Sequence, residues 1–154
     1  MADRKVEVPE AGLSSADLIM SVQPITVLIV EDEALIRLAL AEQLHERGYK
    51  TVEAENATEA INLLESTDRI GAVFADIELP GSMNGLLLAR YISKRWPEII
   101  IIMNSGRAEP VADQMPLGTI FLPKPRRMMD MQRAYTAIEL AASDVHSASY
   151  ARSP

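Results

Sequence analysis

The sequence of 154 residues lacks cysteine altogether. This absence excludes a disulfide framework and any thiol chemistry. Long hydrophobic runs are also missing, since no uninterrupted apolar stretch approaches the roughly 20 residues of a membrane-spanning helix. Residues 1–10 carry mixed charge and no apolar segment, so they are not typical of a signal peptide. These absences together predict a cytoplasmic protein without a membrane segment.

Basic residues are in the minority. The chain has 15 lysines and arginines against 22 aspartates and glutamates, which gives a formal net charge of −7. An acidic chain argues against a nucleic-acid-binding surface, because such a surface needs a basic patch. The one basic cluster, at 124–127, is too short to change this conclusion. The length suits one α/β domain and not two.

Four short apolar runs, rich in β-branched residues, each end at a polar residue or a lysine. The runs lie at 25–30, 72–75, 99–103 and 120–123. Their composition and length indicate buried parallel strands. Because ligands of an open α/β sheet bind outside the carboxyl ends of its strands, we expect the residues at these ends to converge. Those residues are, in chain order, Glu31 with Asp32, Asp76, Ser105 with Gly106, and Lys124.

Helix-length segments separate these strands from one another and from a further short strand at 49–54. We predict helices over 33–47, 57–66, 85–96 and 126–142. Five strands that alternate with helices are typical of a single doubly wound parallel sheet. In the first helix, the periodicity predicts a stripe of buried apolar residues formed by Leu35, Leu38, Ala39 and Leu44.

Composition divides the chain into three parts. Residues 1–24, punctuated by proline, glycine and serine, are predicted to be an N-terminal extension, either a tail or a docking segment. Residues 25–142 form the predicted folded domain, and residues 143–154, small and polar, a flexible tail. Within the domain, the segment 107–118 contains two interior prolines, so it has room for only one or two helical turns.

The side chains at the strand ends suit phosphoryl chemistry. Like charges as close as those of Glu31, Asp32 and Asp76 either raise one pKa strongly or bind a cation. Oxygen ligands with open positions favour Mg²⁺. Lys124 can pair with a phosphate oxygen or with Asp76, and Ser105 offers a hydroxyl donor. A carboxylate in this setting can attack a phosphoryl group and form an acyl phosphate.

Each of these residues also has an ordinary structural explanation. An aspartate at a strand end often caps a helix, and a lysine between prolines is usually solvated. The run 31–33 is acidic and would favour a helix N-terminus through the macrodipole. The order acid pair, acid, hydroxyl and lysine at successive strand ends is nevertheless specific. It therefore favours the functional interpretation over the structural one.

Five motifs in this order resemble the receiver domain of two-component response regulators. They are VLIVEDE at 27–33, ADIELPG at 75–81, Asn84-Gly85, NSG at 104–106 and FLPKP at 121–125. The resemblance covers residues 25–142 and implies a flavodoxin-like fold with strand order 2-1-3-4-5, here with a shortened fourth helix. It also implies a signalling domain and not an enzyme.

The resemblance assigns the chemistry to the acids. It implies that Asp76 accepts a phosphoryl group from a histidine kinase or a histidine phosphotransfer protein. It also implies a site for Mg²⁺, or Mn²⁺ in its place. The metal ligands would be Asp32, Asp76 and the backbone carbonyl of Glu78, with Glu31 acting partly through water.

The resemblance also assigns the response to phosphorylation. Ser105 and Lys124 would move inward to bind phosphoryl oxygens, and Phe121 occupies the switch-aromatic position of the family. Phe121 would turn inward into the space that Ser105 vacates, which is a two-state element biased by a local charge. The Lys124–Pro125 bond is expected to be the cis peptide of the family.

Glu78 and Arg107 stand where the family varies residues that govern water access to the acyl phosphate. We weigh two interpretations: a salt bridge over the site that slows hydrolysis, or two solvated side chains. No segment after residue 142 suits a DNA-binding or enzymatic domain, so we expect a stand-alone regulator. Its output would be contact with an unidentified protein, and a homodimer is left open.

Other functions fit less well. An aspartyl-nucleophile phosphohydrolase uses similar groups, but it places a second aspartate where Glu78 stands, and the chain has no cap-sized insertion to hold a substrate. A receiver fold that acts by protein contact without phosphate is the second alternative. A flavodoxin that binds FMN is disfavoured, because the acidic run 31–33 would repel the phosphate that this loop must hold.

Overall fold

The computed structural model describes residues 25–107 and 112–150. In this part of the chain, strands and helices alternate as the sequence predicts. The strands are β1 (Thr26–Val30), β2 (Lys50–Ala54), β3 (Ile70–Asp76), β4 (Ile100–Ser105) and β5 (Ile120–Pro123). The helices are α1 (Ala34–Glu46), α2 (Ala57–Ser66), α3 (Gly85–Arg95) and α4 (Met128–Tyr150), with a short 3₁₀ helix at Ala112–Gln114.

The five strands form one sheet in the order β2-β1-β3-β4-β5, and every pair is parallel. This is the predicted order 2-1-3-4-5, and the predicted flavodoxin-like fold is confirmed. The register places the last residue of β3, Asp76, opposite Asn104 of β4. Ser105, at the end of β4, lies opposite Pro123. The carboxyl ends of the strands therefore meet at one edge of the sheet.

Both faces of the sheet are buried, which explains the near-continuous apolar runs of the strands. On one face, side chains of β1 and β3 such as Leu28 and Val73 pack with α2 and α3. On the other face, their neighbours Val27 and Phe74 pack with α1 and α4. In β1, β3 and β4 the burial of both faces thus leaves only the strand ends for polar side chains.

The predicted buried stripe of α1 is largely wrong. Leu35 and Leu38 are 78% and 54% exposed, and Ala39 is exposed as well. The residues of α1 that are buried against the sheet are Leu40, Ala41 and Leu44, of which only Leu44 was predicted. Apolar residues occur almost all round this helix, so periodicity alone could not identify the face that meets the sheet.

The described part of the connection between β4 and β5 contains no α-helix, in line with the two prolines of this segment. Its described part contains one turn of 3₁₀ helix, Ala112–Gln114, and residues 108–111 lie outside the described residues. The Arg90 guanidinium of α3 donates two hydrogen bonds to the carbonyl of Gln114, at 3.2 and 3.0 Å. A side chain of the neighbouring helix therefore holds this connection.

The last helix is longer than predicted. We expected it to end near residue 142, but α4 continues to Tyr150, so the predicted end is wrong. Small polar residues such as those of 143–150 weaken a helix without preventing its continuation from a packed segment. The predicted extension at 1–24 lies outside the described residues. Among the helices that the structure describes, none has the length and apolar character needed to cross a bilayer.

Candidate functional site

Three carboxylates meet at the carboxyl edge of the sheet. Glu31 and Asp32 follow β1 directly, and Asp76 ends β3, the central strand. One carboxylate oxygen of each lies within 4.8 Å of those of the other two. Glu31 and Asp76 are 3% and 6% exposed, whereas Asp32 faces solvent. We call these three residues the acidic cluster, and its convergence is the one that the strand ends predict.

Lys124, which follows β5, reaches across the sheet edge to this cluster. Its Nζ lies 2.6 Å from Oδ2 of Asp76 and 2.9 Å from Oε2 of Glu31. Burial alone would lower the pKa of Lys124, but the hydrogen bonds to Asp76 and Glu31 raise it above its usual value. Lys124 therefore stays protonated, and its ammonium bridges the acids that follow β1 and end β3.

Backbone groups fix the orientation of both buried carboxylates. The N–H of Glu33 donates to Oε1 of Glu31 at 3.1 Å, and the N–H of Glu78 donates to Oδ1 of Asp76 at 2.9 Å. Burial raises the pKa of Glu31, although the hydrogen bonds from Lys124 and Glu33 work in the opposite direction. Each buried carboxylate thus presents one oxygen to the backbone and one to Lys124.

The cluster offers the ligands that a hard divalent cation prefers. Carboxylate oxygens from two strands, with Asp32 open to solvent, fit Mg²⁺, which keeps several waters and binds through few protein ligands. The buried negative charges of the cluster exceed the single charge of Lys124, and a cation would offset the remainder. The predicted ligands Glu31, Asp32 and Asp76 are thus together. The role of the Glu78 carbonyl stays a prediction.

Ser105 lies beside this cluster without bonding to it in the described structure. Its hydroxyl is buried, accepts a hydrogen bond from the Arg107 N–H at 3.1 Å and donates a long one, 3.4 Å, to Oε1 of Glu78. The Arg107 guanidinium also contacts this Glu78 oxygen, at 3.1 Å. The salt bridge that the sequence left open is therefore present, and its effect on hydrolysis stays a prediction.

Phe121 of β5 is partly buried against the core on the α2 and α3 side of the sheet. It lies opposite Met103 in the register of β4 and β5. Pro123, two residues after Phe121, lies opposite Ser105 in the same register. The predicted cis peptide at Lys124–Pro125 is confirmed. The switch role of Phe121 stays a prediction.

Sequence reasoning missed three residues around the cluster. Arg37 of α1 donates from Nη1 to the Glu31 carbonyl at 2.7 Å. Its guanidinium also forms ion pairs with Glu53 of β2 and with Glu55, which directly follows β2. Gly85, the first residue of α3, lies so close to β3 that a Cβ there would overlap the Asp76 carbonyl oxygen. Arg126 has a buried Nη1 without a hydrogen-bond partner among the described residues.

The fold and the site together define a class of proteins. A parallel sheet of order 2-1-3-4-5, with an acidic cluster and a lysine at its carboxyl edge, is the arrangement of a flavodoxin-like domain. The family model that describes the response regulator receiver domain matches residues 27–136 of this chain. The chain therefore belongs to the response regulator receiver domain family.

Curated proteins from several bacteria are similar to this chain. The sensor kinase CckA of Brucella abortus is 38% identical over 104 residues, which cover 65% of this chain and 11% of that protein. The transcriptional regulatory protein PdtaR of Mycobacterium tuberculosis is 38% identical over 123 residues, which cover 78% of this chain and 58% of that protein. The chain thus spans less than two thirds of the length of either relative.

Solved structures are similar over most of the chain. A response regulator receiver protein from Pseudomonas putida is 31% identical with a TM-score of 0.67, covering 75% of this chain and 98% of that one. A response regulator receiver protein from Sinorhizobium medicae is 27% identical with a TM-score of 0.69, covering 80% and 98%. In both cases nearly the whole receiver is matched.

Proposed function

We propose that this receiver domain is a magnesium-dependent phosphoacceptor in a His-to-Asp phosphorelay, with Asp76 as the acceptor. The observation that carries the proposal is the position of Lys124 Nζ, 2.6 Å from Asp76 and 2.9 Å from Glu31, within the acidic cluster. A nucleophilic carboxylate needs a cation beside it that can accompany the incoming phosphoryl oxygens. Asp76 is the carboxylate that combines this cation with a position at the end of the central strand of the sheet.

The phosphodonor would be a histidine kinase or a histidine phosphotransfer protein. An oxygen of the Asp76 carboxylate attacks the phosphorus of the phosphohistidine, so an O–P bond forms while the N–P bond breaks. The bonding electrons remain on the imidazole nitrogen, which takes up a proton. The acidic cluster would hold Mg²⁺ or Mn²⁺, and that ion would neutralise negative charge on the transferred phosphoryl group.

The chain's own residues position this reaction. The N–H of Glu78 holds one Asp76 oxygen in place, and Lys124 holds the other. After transfer, Lys124 can follow the phosphoryl oxygens, because its ammonium is a mobile point charge on a flexible stem. Before transfer, Lys124 balances the negative charge of the Asp76 carboxylate. After transfer, it faces the larger negative charge of the acyl phosphate.

The response to phosphorylation would run through Ser105 and Phe121. In the described structure the Ser105 hydroxyl donates its hydrogen to Glu78, so it must give up this bond to donate to a phosphoryl oxygen. The hydrogen bond that it accepts from the Arg107 N–H does not compete with this donation. Phe121 is already partly buried beside β4, and the inward movement of Ser105 would let it turn further inward. A local charge at Asp76 thus biases a two-state element, and the altered face would contact a partner protein.

Incubation with acetyl phosphate tests the proposal. In this reaction the carboxylate attacks phosphorus and acetate leaves. With Mg²⁺ present, we expect the intact mass of the chain to rise by one phosphoryl group. With EDTA in place of Mg²⁺, we expect almost no label, because the acidic cluster then repels the anionic donor. Equal labelling with and without metal would contradict the proposal.

Two alternative functions give different results. An aspartyl phosphohydrolase would turn over a small phosphomonoester many times per chain, whereas the proposed acceptor retains a stoichiometric label. A receiver fold that acts by contact alone would bind its partner equally well with and without phosphoryl donor. The acidic cluster with Lys124 favours the phosphoacceptor over a purely structural adaptor, because buried like charges cost stability unless they serve a bound cation.

The Glu78–Arg107 ion pair is expected to prolong the life of the acyl phosphate. The two side chains meet at 3.1 Å, and the same Glu78 oxygen accepts the hydrogen bond of the Ser105 hydroxyl, so the pair can obstruct an attacking water. Replacing Arg107 by alanine should shorten the lifetime of the label by up to about fivefold, since an exposed ion pair is worth about 1 kcal/mol at most. The measurement is the decay of labelled protein after removal of the donor.

The matched control for this prediction is Arg127→Ala, which removes an exposed arginine of the loop after β5. Its label should decay at the wild-type rate. If Arg107→Ala and Arg127→Ala decay at the same rate as wild type, the ion pair does not control the access of water.

A further inference from the structure

Arg37 contacts the loop that carries two acids of the acidic cluster, and the proposed mechanism does not use it. It lies in the first turn of α1, and its side chain is 12% exposed. Each of its three guanidinium nitrogens has a partner. Nη1 donates to the Glu31 carbonyl at 2.7 Å, Nε to Glu53 at 3.2 Å and Nη2 to Glu55 at 3.1 Å. The guanidinium therefore connects the end of β1 with the end of β2.

The carbonyl that Arg37 bonds belongs to the peptide unit between Glu31 and Asp32. A peptide unit is planar, so a hydrogen bond to its carbonyl also restrains the N–H and the Cα of the residue that follows. The bond is charge-assisted, and its length of 2.7 Å is in the range of the strong bonds of this kind. Arg37 therefore restrains the backbone from which the Asp32 side chain projects.

Asp32 depends on this restraint more than the other two acids of the cluster do. Backbone N–H groups and Lys124 hold the carboxylates of Glu31 and Asp76. The Asp32 side chain is exposed, and it forms no hydrogen bond or ion pair with another residue in the part of the chain that the structure describes. Its carboxylate is therefore positioned through its backbone.

We propose that Arg37 is a positioning residue of the acidic cluster, whose bond to the Glu31 carbonyl holds the backbone of Asp32 so that the Asp32 carboxylate can bind a metal ion together with Asp76. The proposal rests on the metal site of the proposed function and not on phosphoryl transfer. A residue that orients a ligand in this way raises metal affinity, because less ordering of the ligand is needed when the ion binds.

A charge effect of Arg37 would have the opposite sign. Its positive charge would repel a metal ion in the cluster, so neutralising Arg37 would tighten metal binding. A positioning effect predicts weaker binding instead. Lysine at this position separates the two effects further. It retains the charge, but it offers one nitrogen where the guanidinium places three nitrogens against three acceptors.

The test is the affinity of the full chain for Mn²⁺, measured by the loss of free-ion signal in electron paramagnetic resonance. Arg37→Gln and Arg37→Lys should both bind Mn²⁺ about tenfold more weakly than wild type. The matched control is Arg47→Gln. Arg47 follows α1 directly, about 15 Å along the helix from Arg37, and its guanidinium lies 4.2 Å from the centre of the Tyr135 ring. Its loss should leave the affinity unchanged.

A double-mutant cycle tests whether Arg37 acts through Asp32. In an Asp32→Ala background the ligand that Arg37 positions is gone, so the addition of Arg37→Lys should weaken Mn²⁺ binding by less than about twofold. A general loosening of the domain would instead multiply the two losses. Urea denaturation without metal verifies that each variant is folded under the conditions of the measurement. If an Arg37 variant does not fold, Arg37→Met replaces it, because an unbranched side chain suits a largely buried position.

The outcomes are distinct. Weaker binding in both Arg37 variants, absent from Arg47→Gln and from the Asp32→Ala background, supports the proposal. Wild-type affinity in folded Arg37 variants overturns it. Tighter binding in Arg37→Gln, equal weakening in Arg47→Gln or additive losses in the cycle overturn it as well.

Failure of the proposed function gives a different result. Wild-type protein that binds Mn²⁺ but is never labelled by acetyl phosphate contradicts the phosphoacceptor function, and the metal affinities still decide the role of Arg37. Wild-type protein that binds no Mn²⁺ contradicts both proposals.

Discussion

Replacing Asp76 by asparagine should abolish phosphoryl labelling, to the level of heat-denatured protein. An amide oxygen is a far weaker nucleophile than a carboxylate, and the variant also loses one ligand of the acidic cluster. The fold should persist, since asparagine has nearly the same size and Glu31 still pairs with Lys124 at 2.9 Å. The measurement is the intact mass after incubation with a phosphorylated histidine kinase or acetyl phosphate in the presence of Mg²⁺.

The control variant is Asp32→Asn, which removes a metal ligand but retains the proposed acceptor. It should be labelled slowly at low Mg²⁺ and recover in part as the metal concentration rises, because metal binding is weakened and the nucleophile is unchanged. Asp76→Asn should not recover at any concentration. Label on Asp76→Asn at the wild-type level would show that another residue is the acceptor.

Asp76→Asn also tests the proposed movement of Ser105 and Phe121. Beryllofluoride with Mg²⁺ is an analogue of the phosphoryl group, so it should perturb the amide resonances of residues 105–107 and 120–124 in the wild-type protein. Asp76→Asn should show no such change. A wild-type spectrum that is unaffected in these segments would exclude the proposed movement of Ser105 and Phe121.

Replacing Gly85 by alanine should destabilise the domain by about 3 kcal/mol or more, since a side chain here has no space. A Cβ would overlap the carbonyl oxygen of Asp76 and lie 2.8 Å from the Cα of Ile77. Both contacts are with backbone, so no side-chain rotation can relieve them. The N–H of Gly85 also donates to the Ile77 carbonyl at 2.9 Å, and α3 must move away from β3 to accommodate the methyl group.

The measurement is the free energy of unfolding from urea denaturation, compared with that of Gly106→Ala. A Cβ at Gly106 would meet only the Cβ of Lys124, at 4.0 Å, which is an ordinary van der Waals contact. That variant should lie within about 1 kcal/mol of wild type. Gly85→Ala should also label poorly, because the shift would displace the backbone of Asp76. Equal stability of the two variants would mean that α3 adjusts at little cost.

The strand ends could be predicted from the sequence because they combine two strong constraints. A strand buried on both faces tolerates polar residues only where it ends, so Asp76 and Lys124 stand out against their apolar neighbours. The parallel arrangement then brings those ends to one edge of the sheet. The acidic cluster and its lysine were therefore predictable before any contact was known.

The buried face of α1 could not be predicted, because its sequence does not distinguish one face from another. Leucine or alanine occurs at both buried and exposed positions, such as Leu40 and Leu35. The face that meets the sheet is selected by tertiary packing, because Leu40, Ala41 and Leu44 belong to the same core cluster as residues of β1. The end of α4 was missed for a related reason: the residues at 143–150 favour neither helix nor coil strongly, and the preceding packed turns decide the outcome.

Gly85 was missed because its importance depends on the distance between two segments. A glycine after an asparagine indicates a helix start, and Asn84 does cap α3 through a hydrogen bond from the Leu87 N–H at 3.0 Å. The approach of α3 to β3 is visible only once both are placed. Likewise, two adjacent arginines look equivalent in a sequence, and only burial separates Arg126 from Arg127.

The bond between Lys124 and Glu31 joins residues 93 positions apart, and the bond to Asp76 joins residues 48 positions apart. The acids and their cation thus come from the first, central and last parts of the domain. In an unfolded or partly synthesised chain these groups are separate and ordinary, because the contacts between them close only with the full sheet. Under the proposed function, a phosphodonor that requires the assembled pocket would discriminate against immature chains, and only molecules that have finished folding would carry the signal.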